Sequence, residues 1–88
     1  GLTSHIRRAV VSISSNIAEG CGRRTSRDFV SFLHNALGSV KEVESQLLVA
    51  VELGYVKEDK SDEVIGELTR VGVMLLGLIE HVLKKDLK

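Results

Sequence analysis

No proline and no tryptophan occur in these 88 residues, and the aromatic side chains number three: Phe29, Phe32 and Tyr55. Without proline, no helix is made to stop or kink from within. With so few rings, stacking platforms for unpaired bases are lacking. A single cysteine, Cys21, excludes an intrachain disulfide framework and fits a reducing cytoplasm. The longest apolar run, 71–79, is broken by Gly72 and Gly77 and closes at Glu80, too short to span a bilayer. No signal-peptide pattern opens the chain, and "GCGRR" is a turn with two glycines rather than a phosphate loop. Charge of one sign is not in excess either, since twelve Lys and Arg balance twelve Asp and Glu.

What remains is an aliphatic chain, 43% apolar, with a composition suited to helices and too hydrophobic for disorder. Its length makes one domain, residues 1–88, near the lower end of what buries a core unaided. The charge is polarised: residues 1–30 carry a local +3 and the remaining 58 carry −3.

Three periodic segments follow one another. Leu2, Ile6, Ala9, Val10, Ile13 and Ile17 fall within roughly a third of a helical circumference at about 100° per residue. Thr3 or Ser4 is the predicted N-cap, and Gly20, Cys21 and Gly22 the stop, with glycine suited to a left-handed cap. After a basic link at Arg23–Arg24, Thr25 and Asp28 resemble a capping box. The spacing of Phe29, Leu33, Ala36, Val40, Val43, Leu47, Ala50 and Val51 then predicts a second helix of about 28 residues closing at Gly54. "GYVKEDKS" reads as a polar link, and Asp59 or Ser61 as the cap of a third helix. Its stripe is Val64, Ile65, Leu68, Val71, Leu75, Leu78, Ile79 and Val82, with Gly72 leaving a notch for another helix. Lys84, Lys85 and Lys88 suit the negative pole of that helix. No segment alternates with period two.

The predicted fold is all-α, an antiparallel up-down bundle with three helices in this chain. Val30, Leu37 and Leu48 widen the second stripe beyond what three helices cover. A fourth helix is therefore expected, either preceding this chain, which begins at Gly1 without methionine, or supplied by another subunit.

The stretch "SISSNIAEGCGRR" carries more small polar groups than a helix interior favours. His5, Arg8, Ser12, Ser15, Asn16 and Glu19 fall together, roughly 120° round from the isoleucines. Small hydroxyls there allow another backbone to come close. On the second helix Glu44 lies inside the apolar arc near Leu37 and Leu48, where an ionised carboxylate needs a partner. Two readings stay open. Arg8, Ser12, Asn16, Glu19, Leu37, Glu44 and Leu48 form an interface between subunits, or the polar stripe is a solvated face and Glu44 reaches past the rim.

Catalysis finds little support. His5, His34 and His81 lie one per helix with no Glu-x-x-His pair, so no metal or cofactor is expected. Ser12, Ser14 and Ser15 have no histidine at useful local spacing, and Cys21 follows a helix C-terminus, which disfavours a thiolate. No enzyme is expected. Arg7, Arg8, Arg23, Arg24 and Arg27 instead offer a basic surface suited to phosphates, against the alternative of ordinary surface charges.

The runs "GLTSHIRRAVVSISSNIAEGCGRR" and "DFVSFLHNALGSVKEVESQLLVAVELGY" resemble the 23S rRNA intervening-sequence proteins, bacterial proteins encoded in insertions within large-subunit rRNA genes. That family is also similar to the accessory protein of diversity-generating retroelements. The segment 12–20 and the approach from Ala36 through Gly38 and Ser39 to Glu42 carry the likeness, which weakens after Tyr55. Ser14 replaces a usual proline and His5 a usual glutamine. The resemblance implies a four-helix bundle with a further N-terminal helix, assembly into a ring-like homopentamer, and contact with RNA or DNA through a basic surface. A structural oligomer that scaffolds another protein is the alternative.

Overall fold

The computed structural model describes residues 1–86, and within them the chain forms three α-helices and no strand. They are α1 (Leu2–Cys21), α2 (Ser26–Glu52) and α3 (Glu58–Asp86). Lys88 lies outside the described residues.

The helix starts follow backbone bonding more than side-chain caps. Gly1 is the N-cap of α1 and its carbonyl accepts from the His5 N–H at 3.1 Å, so Thr3 and Ser4 lie inside the first turn instead of capping it. The early start also brings Leu2 onto the apolar face. Gly22 ends α1 with φ −87° and ψ −1°, a right-handed conformation rather than the left-handed cap expected. Thr25 is extended and its Oγ1 accepts the Asp28 N–H at 3.1 Å, the N-cap bond that the Thr25–Asp28 spacing predicts. At the far end of α2, Gly54 adopts φ +77°. Tyr55 N–H then reaches the Ala50 carbonyl at 2.9 Å and Gly54 N–H that of Val51 at 3.0 Å, which is a Schellman closure. The link before α3 shrinks to 53–57, because α3 begins at Glu58. Asp59 and Ser61 therefore fall within the helix, and Ser61 is buried at 1% exposure rather than capping.

Helix α2 is the centre of the fold. Leu33, Ala36 and Val40 are fully buried along it, and Val43, Leu47 and Ala50 continue the row at three- and four-residue steps. Contacts with α1 run in opposite chain directions: Gly20 faces Phe29 and Phe32, while Ser12 meets Ser39. Those with α3 do the same. Gly72 faces Leu37 and Val40, so the notch is filled by α2 of the same chain. Val30 is buried in a cluster with Val82 and Ile79, which corrects the expectation that three helices leave it bare. The backbones of α1 and α3 do not touch. Their side chains share the α2 clusters, Ile13 and Ile17 with Leu68 and Val71 in one and Ile6 and Ile13 with Ile65 and Leu68 in the other. The outcome is a flat layer, 50 × 21 × 13 Å across its Cα atoms. Much apolar surface stays open on it, including Leu48 of α2 at 57% and Met74 of α3 at 71% exposure, and Val73, Leu76 and Leu83 on α3 are exposed as well.

Candidate functional site

The small polar residues of α1 meet α2 of their own chain. Ser12 Oγ and Ser39 Oγ are 2.9 Å apart, and Asn16 Nδ2 donates to Ser12 Oγ at 3.0 Å and to the Ser12 carbonyl at 2.8 Å. Ser39 Oγ donates its one proton to the Asn35 carbonyl at 3.2 Å. Each hydroxyl has a single hydrogen, so Ser12 must be the donor to Ser39. The bonds thus run in one direction from Asn16 across the seam to Asn35. Serine at both crossing points keeps the side chains short, and no buried hydroxyl in this chain of bonds is left unpaired.

The other members expected with them lie apart. Glu19 pairs with Arg23 at 3.2 Å, and Arg8 donates to Ser4 Oγ at 3.4 Å. Glu44 is four residues on from Val40 and seven from Leu37, the two side chains facing α3, so it occupies the flank away from Ser39. Its Oε1 is buried without a hydrogen bond, as Lys41 Nζ stands at 3.9 Å, too far for one. Within one chain Arg8, Asn16, Glu19 and Glu44 do not converge. Leu37 is half-buried against the core, while Leu48, four residues beyond Glu44, is open to solvent.

The arginines divide into two groups. Arg7 and Arg8 lie near the start of α1, about 22 Å along the helix from Arg23 at 1.5 Å per residue. Arg23 is engaged twice, by Glu19 and by the ring of Phe32, whose centroid is 4.6 Å from its guanidinium carbon. Arg24 and Arg27 are exposed and form no ion pair among the described residues. Sequence reasoning missed their neighbours. The register that sets Gly72 beside Leu37 and Val40, and Val82 in one cluster with Val30, carries the last turn of α3 to the first turn of α2. Lys84 and Lys85, both exposed, therefore join Arg24 and Arg27 at one end of the layer. Opposing stripes of two long helices could have revealed this had their register been followed to the ends. The other end carries Glu52, Glu58, Asp59, Asp62 and Glu63.

His5, His34 and His81 are exposed on separate helices, and among the described residues no three His, Cys, Asp or Glu side chains gather to hold a metal. Cys21 is exposed. An open cleft between α1 and α2 is lined by His5, Arg8, Ser12 and Glu42, and an apolar one on α3 by Val73, Leu76, Gly77 and Ile79. No described helix is long and apolar enough to cross a membrane.

A crystal structure of a protein of unknown function from the S23 ribosomal protein family of Bacteroides thetaiotaomicron has the same fold, with a TM-score of 0.85 at 24% identity. The likeness covers 89% of this chain and 72% of that one. No curated protein matches the chain. Residues 1–77 match the 23S rRNA-intervening sequence proteins, and that span takes in α1, the Arg23–Arg24 corner, all of α2 and most of α3. With the serine seam and the basic corner both inside the matched region, the chain belongs to the 23S rRNA-intervening sequence protein family.

Proposed function

We propose that this chain is a non-enzymatic cytoplasmic bundle subunit that assembles with copies of itself and contacts nucleic acid through phosphates. The observation that carries the reading is the apolar surface left open on both flanks of a layer only one helix deep. Val10 on α1 is exposed beside half-buried Ile6, Ile13 and Ile17, and Val73, Leu76 and Leu83 are exposed on α3. Side chains of this kind contribute roughly 1.5–3 kcal/mol each when fully buried, so company is strongly favoured. A further helix lying along α1 and α3 would complete an up-down four-helix bundle, as the family resemblance implies. Leu37, Glu44 and Leu48 would then face the next subunit of a ring of five, which would supply a donor to Glu44 Oε1. Ser12, Asn16 and Glu19 already have partners in their own chain and serve the subunit contact by holding α1 in place.

Nucleic acid is favoured over other polyanions by the arginine content of the open corner and by a ring that repeats it, since modest patches add into a larger field. The native mass of the protein, read with its absorbance at 260 and 280 nm, tests both parts. Leu48→Glu and Leu76→Glu alter exposed positions, where substitution changes subunit stability within about 0.5 kcal/mol. At least one of them is expected to lower the native mass while leaving helicity intact. An unchanged mass for both variants sinks the assembly. Co-purification of a protein, with no absorbance excess at 260 nm, favours the scaffold reading, for which Met74 and Val73 are the exposed anchors.

A further inference from the structure

We infer that the phosphate-contacting surface is the composite end made by Arg24 and Arg27 at the start of α2 with Lys84 and Lys85 at the close of α3, and that it fits a duplex. This inference rests on the nucleic-acid reading above and assigns it a place and a ligand form. Four exposed cations are gathered at that end, Arg24 in the link, Arg27 on α2 and the two lysines on α3, none of them in an ion pair among the described residues. Arg23 lies at the same corner, paired with Glu19 and set over the Phe32 ring. Arg7 and Arg8 lie most of a helix length away and are not part of this end.

The geometry selects the form of nucleic acid. Packed helix axes stand about 8–10 Å apart, so the last turn of α3 with its two lysines and the start of α2 with its two arginines lie about that far apart, each cation on a long flexible stem. That is the scale of a duplex groove, about 12 Å wide for the B-form major groove, with a phosphate rail on each side. A single strand offers one rail, and its bases would need rings to stack on. Here Phe29 and Phe32 pack at the α1–α2 corner beside Gly20, which leaves none for that purpose. Asp28 and Glu80 are exposed acids of this end, and Asp86 is the last residue of α3, so three acids partly offset the four cations there. Contact is expected through phosphates, without base readout.

The test measures binding of a labelled 20-base-pair DNA duplex, and of one of its strands alone, across a salt series. Four contacts predict a slope of log affinity on log salt of about −3.6 per contacting chain. Lys84→Gln with Lys85→Gln is expected to halve that slope and weaken binding at 0.1 M salt about 60-fold. Arg24→Gln with Arg27→Gln is expected to do the same, which keeps the test decisive should either pair unfold by circular dichroism. Arg7→Gln with Arg8→Gln should leave the slope in place, and the single strand should bind more weakly than the duplex. Competition by an unlabelled RNA duplex at lower concentration than DNA assigns the natural duplex to RNA, and the converse to DNA. If the Arg7/Arg8 pair abolishes the slope while the lysine pair leaves it, or if the single strand binds tighter, the composite end is wrong although nucleic-acid binding stands. If the unaltered protein binds no duplex even at 20 mM salt, both readings fall.

Discussion

Gly20 is a point of close approach between α1 and α2, and replacing it with alanine puts a number on the corner. A Cβ there would lie 2.9 Å from Phe29 Cδ1 and 3.0 Å from Phe32 Cβ. The Phe29 ring can tilt, but Phe32 Cβ is fixed to the backbone of α2, so α1 has to move outward. Overpacking of this kind costs about 1–3 kcal/mol. Against it stands the helix propensity of alanine over glycine, about 1 kcal/mol in a helix interior and less in the last turn, where Gly20 resides. The net expectation is a loss of about 1–2 kcal/mol. Gly38 supplies the reference: it is mid-helix in α2, exposed, with nothing within 4 Å of an added Cβ. Gly38→Ala is therefore expected to stabilise by about 1 kcal/mol. At 4–8 °C per kcal/mol for a domain of this size, the two variants should separate by more than roughly 8 °C in melting temperature. Urea unfolding at one fixed protein concentration gives the same comparison isothermally, and the concentration must be held because association adds to apparent stability. If Gly20→Ala stabilises as much as Gly38→Ala, the close approach at the corner is not what this structure says it is.

Two further outcomes concern hydroxyls. Ser39→Ala removes the acceptor for the Ser12 proton at the seam and should destabilise by about 1 kcal/mol, with a coupling of about 0.5–1.5 kcal/mol to Ser12→Ala in a double-mutant cycle; strict additivity would dissolve the directed chain of bonds. Ser61→Ala should do the opposite and raise the urea midpoint, because the Ser61 Oγ is buried with no hydrogen-bond partner and its desolvation costs about 1–3 kcal/mol; a lower midpoint would mean the hydroxyl has a partner after all.

Much of the fold was legible in the sequence because apolar spacing reports which face of a helix is covered. The spacing places Leu33, Ala36, Val40, Val43 and Leu47 in the core and all five are buried, and Thr25 and Gly54 bound α2 as their chemistry requires. The helix starts were less legible. Helix α1 starts after Gly1 with no side-chain cap, so Thr3 and Ser4 fall inside it, and α3 starts at Glu58 ahead of Ser61. Spacing gives an angle around one helix but not the identity of the neighbour at that angle. Ser12 and Asn16 were read as waiting for a neighbour, and the neighbour inside the chain is α2; Gly72 likewise receives α2 side chains. For Lys84 and Lys85 the sequence shows only the pole of their own helix, because their place beside Arg24 and Arg27 depends on the register of α3 against α2, which no single stripe gives.

Having α2 as the common wall for two helices whose backbones never meet makes mutational damage unequal across the chain. An altered residue on α1 or α3 loosens a single hairpin and spares the other, so those helices are freer to drift in sequence. A fault in the middle of α2 opens two seams in one step, which leaves positions such as Ala36 and Val43 the least room to change.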